Sequence, residues 1–325
     1  MDTDSIEEPP LISVVIVNWN SLNFLKRCLE TVFADNSVPE LDVIVVDGGS
    51  FDGSDQFLAD RYPKQVRFIQ ADNNIGFARS NNLALPYIRG QYLALLNPDT
   101  EIIHGTWAEL IETHKKLENP GILGPKLLNT DGSHQKSCVQ ALPTPLNQIL
   151  DSNILRRLFP RLRLWGTYEA YHSERPVAVQ ALSGAFMLME SSTFRTVNGF
   201  DESYFMYAED MDLSKRIYDS GRLNYYVPKT SMVHHGGGSS STAPSDFSTK
   251  AMCISLHHFM DLHYGQASAN RYQIGMKISS IVRLSFLNLA IFLFPKENDR
   301  ATGLFNSIHK WNTISKWSRV SHSKS

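Results

Sequence analysis

An α/β fold on a doubly wound, mainly parallel sheet is predicted by three observations. Strand-like runs, continuous in apolar and β-branched residues, alternate with helical patterns from the start of the chain. The connections between them are short, and polar residues collect just after the strand ends. The composition, 42% hydrophobic and 20% charged over 325 residues, suffices for one large core or two smaller ones.

Residues 11–17 are a continuous apolar run, the pattern of a strand covered on both faces. Residues 23–33 follow with Phe24, Leu25, Cys28, Leu29 and Val32 at helical spacing. A second buried strand over 41–46 ends at Asp47, and Gly48-Gly49-Ser50 turns the chain into a helix starting near Ser54. A third strand is predicted over 66–70, a helix over 76–87, and a fourth strand over 92–96 that ends at Asn97-Pro98-Asp99. Asn18 with Asn20, Asp47, and Asn97 with Asp99 thus mark the carboxyl edge of the sheet, where open α/β sheets bind ligands. Residues 140–176 are rich in Pro, Leu and Arg and show no strong period. Beyond them, 177–182 and 186–190 are strand-like, 210–220 is a helix ended by Gly221, and 225–228 is a further strand. The Gly/Ser-rich stretch 236–248 predicts a mobile loop. The expected organisation is a flexible N-terminus over 1–10, one α/β domain over 11–250 with halves 11–130 and 131–250, and a helical region over 251–325.

A net charge of −2 argues against nucleic acid as a partner. Cys28, Cys138 and Cys253 are far apart and odd in number, which reads as ordinary thiols of a reducing compartment. Residues 1–10 lack the basic start and apolar run of a secretory signal, so a cytoplasmic protein is expected. The apolar stretch 281–294 contains Arg283 and Asn288 and is shorter than the ~20 residues a spanning helix needs. It reads either as a packed helix, against the α/β domain or a second copy in a homodimer, or as an interfacial helix on a membrane surface. In the second case Lys277, Arg283 and Lys296 would meet anionic lipid.

Four motifs carry candidate chemistry. Glu209, Asp210 and Asp212 stand where an aromatic run, Tyr204, Phe205 and Tyr207, meets an amphipathic helix. Carboxylates desolvated at a helix start suit a general base; acids that merely favour the helix dipole are the plainer reading. Asp47-Gly-Gly-Ser-Phe-Asp-Gly-Ser54 lacks both the P-loop ending and the dinucleotide glycine spacing. Its Asp47 can accept a hydrogen bond from a pyrimidine imide, or simply cap a turn. Asn97-Pro98-Asp99 offers oxygen ligands to a hard divalent cation, Mg²⁺ or Mn²⁺, that bridges two phosphates, unless it too is only turn chemistry. His234-His235 precedes a glycine run; neighbours on an extended segment face opposite ways, so only His234 is taken as a metal or diphosphate ligand, with a surface pair as the alternative.

Taken in order, Val14-Val-Ile-Val-Asn-Trp-Asn-Ser21, Val45-Val-Asp-Gly-Gly-Ser-Phe-Asp-Gly-Ser54, Asn74-Ile-Gly-Phe-Ala78 with Asn81-Asn82, Leu95-Leu-Asn-Pro-Asp99, Ser183-Gly-Ala-Phe186, Gly199-Phe-Asp-Glu202, Glu209-Asp210 and His234-His235 resemble a family 2 glycosyltransferase of the GT-A fold, in its rhamnosyltransferase-like branch. The resemblance covers about residues 11–240. It implies a nucleotide-sugar-binding N-terminal half and an acceptor-binding C-terminal half, followed by C-terminal helices. It implies that Val17, Asn18, Trp19 and Asn20 surround the nucleotide and that Asp47 binds the base. Asn74, Gly76, Asn82 and Asn97 then line the donor site, Asp99 binds the metal, Asp210 is the base beside Glu209, and Gly184-Ala185 border the acceptor. Gly48 stands where Asn is usual and Phe51 where Thr is usual, which leaves open the nucleotide bound.

The implied activity is inverting transfer of a sugar, rhamnose from dTDP-rhamnose by the branch resemblance, to a saccharide or lipid-linked saccharide in cell-surface polysaccharide synthesis. The implied place is the inner face of the cell membrane. A sugar-phosphate nucleotidyltransferase is a rival, but the first strand-turn reads Asn-Trp-Asn-Ser and not basic and Gly-rich. A non-catalytic nucleotide-sugar-binding protein, the other rival, would not need Glu209, Asp210, Asp99 and His234 together.

Overall fold

The structure, a computed structural model, describes residues 11–38, 40–236, 245–293 and 299–320. The expected flexible N-terminus and most of the expected Gly/Ser loop lie outside the described residues. The chain forms two compact units: one comprises residues 1–142, 165–205 and 209–241, and the other residues 143–164, 206–208 and 242–325.

The first unit holds a nine-stranded sheet among the described residues. Strands β1 (Ile12–Asn18), β2 (Leu41–Asp47), β3 (Val66–Gln70) and β4 (Tyr92–Leu96) are followed by β5 (Thr100–Ile102) and β6 (Pro120–Leu128). After β7 (Val139–Gln140) come β8 (Val177–Val179), β9 (Ala181–Leu182), β10 (Phe186–Glu190) and β11 (Leu223–His234). The main sheet runs β3-β2-β1-β4-β10-β6-β11-β5, with β8 beside β11, while β7 and β9 pair separately. Strands β3, β2, β1 and β4 are mutually parallel, β10 is antiparallel to both β4 and β6, and β6 is parallel to β11. The α/β prediction therefore stands, with β10 reversed in the middle of the sheet and β5 and β8 antiparallel to β11.

Helices α1 (Leu22–Ala34), α2 (Ser54–Arg61), α3 (Phe77–Leu83) and α4 (Thr106–Lys116) cross between strands. The predicted helix over 76–87 stops at Leu83 and continues as a single 3₁₀ turn, Leu85–Tyr87, because Pro86 cannot donate to a regular helix. The strand expected over 177–182 is instead two, which diverge at Gln180. Its carbonyl accepts from Asn224 and its side chain accepts from the Leu142 N–H. Strand β11 is far longer than expected. Its pairing with β6 shifts register between Val227 and Ser231, around Pro228, which has no N–H for the ladder.

The second unit gathers α5 (Pro145–Leu150) and α6 (Asn153–Leu158) with the long helices α10 (Ser245–Tyr264), α11 (Gln266–Leu293) and α12 (Asp299–Trp317). In the first unit, α7 (Tyr168–His172), α8 (Ser191–Thr196) and α9 (Glu209–Asp219) complete the helices. Residues 143–164, placed by sequence in the acceptor half, thus cluster with the C-terminal helices. Gly275 lets α5 approach α11, since a Cβ there would fall 2.0 Å from Ile149 Cδ1. Arg283 donates to the carbonyls of Ile149 (3.1 Å) and Asp151 (2.8 Å), and its guanidinium lies 4.4 Å from the Trp311 ring. It is a packing residue and not the lipid-facing cation expected from sequence. The stretch 281–294 is the end of a 28-residue helix, so the argument that it is too short to span a membrane fails; Phe294 lies outside the described residues.

Candidate active site

Strand direction gathers the site. The carboxyl ends of β1, β2, β4, β6 and β11 share one edge of the sheet, and the reversed β10 brings its amino end there too. On one side of this edge, Asn18 and Asp47 sit at the last positions of β1 and β2. Asp47 is buried, and its carboxylate accepts from Asn18 Nδ2 (2.7 Å), the Ser50 N–H (2.7 Å), Ser50 Oγ (2.8 Å) and Gln70 Nε2 (3.1 Å). Asn18 also donates to Ser54 (3.1 Å), while its Oδ1 is buried without a hydrogen-bond partner. Asn20, with left-handed backbone (φ 48°), accepts from the Phe51 N–H on its side chain and donates its own N–H to Ser50 Oγ. The Gly-rich turn is therefore pinned to β1 through Ser50, and Trp19 packs beside Gly48.

Asn74 accepts the Gly76 N–H (3.0 Å). Gly76 has φ +89°, and a Cβ there would lie 2.4 Å from the Phe205 carbonyl, the acceptor of the Phe77 N–H. Only glycine permits that approach. The Asn82 amide is spent on the 199–202 turn: it accepts the Phe200 N–H (2.9 Å) and donates to the Phe200 carbonyl (2.9 Å) and Glu202 (3.1 Å). Asn82 thus braces that turn.

The acid pair opens α9. Tyr207 and Ala208, just before it, both have left-handed backbone (φ 70° and 62°), a costly conformation for side chains that have a Cβ. Tyr204 is buried, whereas Phe205 is exposed. Asp210 accepts from the Gly184 N–H (3.1 Å), Gln140 Nε2 (2.9 Å) and the Met211 N–H (2.8 Å). Burial raises the Asp210 pKa, and these donors work against that rise. Glu209 is buried with Oε2 lacking a hydrogen-bond partner, and burial first, then the Asp210 charge, pushes its pKa up to about 8. Burial favours the neutral acid at both positions, but only Asp210 has donors on both carboxylate oxygens, which favour its ionised form over that of Glu209. The folded state binds more protons than the unfolded chain between pH 4.5, the ordinary Glu value, and about 8. Stability should fall as pH rises through that window, and Glu209→Gln should reduce the fall; thermal melts at pH 5 and 8 compare the two.

The two parts of the edge are joined. The Asn97 N–H donates to the Ala185 carbonyl (3.0 Å), and the Gly184 N–H reaches Asp210. Beyond Asn97, the buried Asp99 places Oδ1 3.3 Å from His234 Nε2. His235 turns the other way and meets Glu101 (2.7 Å), as the alternation of an extended segment requires.

Hydrogen-bond direction then fixes the His234 ring. An ionised Asp131 can only accept, so the Ser133 hydroxyl donates to it (2.6 Å). Ser133 Oγ accepts from Asn129 Nδ2 (2.9 Å), Asn129 Oδ1 accepts from Gln135 Nε2 (3.1 Å), and Gln135 Oε1 is left to accept from His234 Nδ1 (2.7 Å). In a neutral imidazole, Nε2 therefore presents its lone pair to the Asp99 carboxylate, and two acceptors facing each other at 3.3 Å suit a cation held by both. Among the described residues no three His, Cys, Asp or Glu side chains form a ligand cluster, so Asp99 and His234 would be the protein's share of a shell completed by diphosphate and water. Cys28 is inert beside them: burial pushes its thiol up to about 12.

Gln135, Gln140, Ser50 and Gln70 were not singled out from sequence. The turn signal Asn129-Thr-Asp-Gly-Ser133 could have drawn attention to Gln135; for Gln140 no local signal exists.

Comparison with known proteins agrees with this geometry. The sequence family described as Glycosyl transferase family 2 matches residues 13–166. A relative from Mycobacterium tuberculosis, N-acetylglucosaminyl-diphospho-decaprenol L-rhamnosyltransferase, is 31% identical over 76% of this chain and 81% of its own length. Rhamnosyltransferase WbbL of Escherichia coli is 26% identical over 69% of this chain and 83% of its own length. Among solved structures, mannosyltransferase PcManGT from Pyrobaculum calidifontis, in complex with GDP-Man and Mn²⁺, superposes with a TM-score of 0.56 at 14% identity, over 97% of this chain and 89% of that one. That likeness extends the GT-A fold over the present sheet. With the strand-end aspartates, the acid pair on α9 and a relative matched over most of its length, the chain belongs to glycosyl transferase family 2.

Proposed function

We propose that this glycosyltransferase transfers rhamnose from dTDP-rhamnose, with inversion, to a saccharide carried on a lipid in cell-surface polysaccharide synthesis, working in the cytoplasm at the inner face of the membrane. The observation that carries the reading is the link from Asn97 through Ala185 and Gly184 to Asp210, which sets a hydrogen-bonded carboxylate beside the strand-end edge. Asp210 takes the proton of the acceptor hydroxyl, whose oxygen attacks the anomeric carbon from the face opposite the leaving diphosphate. The names of the relatives from M. tuberculosis and E. coli support rhamnose as the sugar. Asp47 and Asn18 shape the base end of the donor site, Val17, Trp19, Asn20, Asn74 and Gly76 its walls, and Gly184 with Ala185 the acceptor border. Asp99 and His234 would hold Mg²⁺ or Mn²⁺, which when bound neutralises charge on the departing diphosphate. The test is transfer and thermal shift across a panel of nucleotide sugars with Mn²⁺: dTDP-rhamnose should give the largest stabilisation and turnover. A larger response to a UDP-hexose would reassign the donor.

The metal assignment has its own expected result. Mn²⁺ titration in the presence of dTDP, followed by electron paramagnetic resonance, should show binding abolished in Asp99→Ala. It should be weakened roughly 10–100-fold in Gln135→Leu, which frees the His234 ring. Unchanged Mn²⁺ binding in Asp99→Ala would remove the metal from this site.

A further inference from the structure

We propose that α11 and the segment after α5 form one docking surface for an anionic lipid bilayer. The inference rests on the membrane-facing reading above and locates its contact. Ile274, Ile278, Ile281, Phe286, Leu289 and Phe292 are all exposed and, at 100° per residue, fall on one face of α11; Phe292 is 80% exposed. At 1.5 Å per residue this apolar stripe is about 27 Å long. It is the face that α10 and α12 leave open.

The second part lies beside it. Gly275, Ser279 and Arg283 border the stripe and are the residues that touch Ile149 and Asp151. The chain leaves that contact directly into α6 and the turn after it, where Ile154 (71% exposed), Leu158, Phe159 and Leu162 alternate with Arg156, Arg157, Arg161 and Arg163, of which Arg156 is paired with Asp151 (2.6 Å). All eight are exposed, and no acidic residue occurs between Asp151 and Glu169. An apolar face flanked by arginines matches the acyl-headgroup boundary of a negatively charged leaflet.

Two other occupants fit less well. Passage through the bilayer fails on charge and packing, although α11 alone is long and apolar enough to cross a membrane. Arg271, Lys277 and Arg283 lie along it, and Tyr272 is buried among the helices of its unit. A symmetric contact with a second copy would set the arginine cluster against itself.

The test uses the full chain in flotation with vesicles of phosphatidylglycerol and phosphatidylethanolamine, or of phosphatidylcholine alone. The parent should float with the anionic vesicles and be released by salt. Arg157→Glu with Arg163→Glu should lower partitioning at least about tenfold. Phe286→Ser with Phe292→Ser should lower it too, with nucleotide binding and thermal melts unchanged in both variants. A parent that fails to float overturns the membrane reading and this surface together. A parent that floats while both double variants float equally well overturns this surface alone. A discrete dimer, lost in the Phe286→Ser with Phe292→Ser variant, would show that a second copy and not lipid covers α11.

Discussion

Asp210→Asn should lower kcat by roughly 10²-fold or more while leaving dTDP-sugar binding and melting temperature near the parent values. The amide keeps the side-chain shape, and its oxygen can still accept from Gly184 and Gln140. Its NH₂ loses only the local bond from the Met211 N–H, a small cost, and the amide cannot take a proton. The neighbouring acid is a poor substitute. Glu209 is held protonated by burial until about pH 8, and its Oε2 has no donor to stabilise a charge. Steady-state kinetics of the two Asn/Gln variants separates them: Glu209→Gln should retain most of kcat. Near-normal transfer by Asp210→Asn would move the base elsewhere.

The largest stability effect is expected at Arg216→Ala, about 3–5 kcal/mol by urea unfolding. Asp212 is fully buried, and the Arg216 Nε–H donates to it at 2.7 Å. The same guanidinium holds the carbonyls of Val197 (2.8 Å) and Gly199 (2.9 Å). Removal leaves a buried carboxylate without the cation that faces it and two carbonyls without a donor. The damage should travel, since Gly199 sits against Asn82, which braces the turn leading to the acid pair. The double variant Asp212→Leu with Arg216→Met should lose less than Arg216→Ala, because an apolar pair leaves no buried charge. Equal losses would mean that the ion pair is not the source of the stability.

The N-terminal alternation, the carboxyl edge and the acid pair were legible because each rests on a local signal. Apolar runs, β-branched in β1 and β2 and leucine-rich in β4, name these strands, and their directions alone assign Asn18, Asp47 and Asn97 to one edge. Strand β6 was not legible. Its sequence, Pro120-Gly-Ile-Leu-Gly-Pro-Lys-Leu-Leu128, carries two prolines and two glycines, all normally strand-weakening. It is tolerated because β10 pairs with β6 only at Leu123, so Pro125 falls where the strand is paired on the β11 side. Gln140 and Gln135 were missed for another reason: each acts on a partner about 70 to 99 positions away, and neither segment has a period. The arginines of 156–163 were read only as composition, because exposure decides their meaning and sequence does not report it.

The reversed strand β10 restricts how this enzyme can be altered. By chain order, β4, β5 and β6 belong to residues 11–130, yet β10 and β11, from residues 131–250, are their ladder partners. A cut near residue 130 would leave β4 with β1 alone and strip β5 and β6 of their ladder partners among the described residues, exposing raw sheet edges. The N-terminal and C-terminal halves of related enzymes should therefore not be exchangeable as cassettes by a single crossover. New acceptor preferences are open to change in the loops along the carboxyl edge, where replacement breaks no ladder.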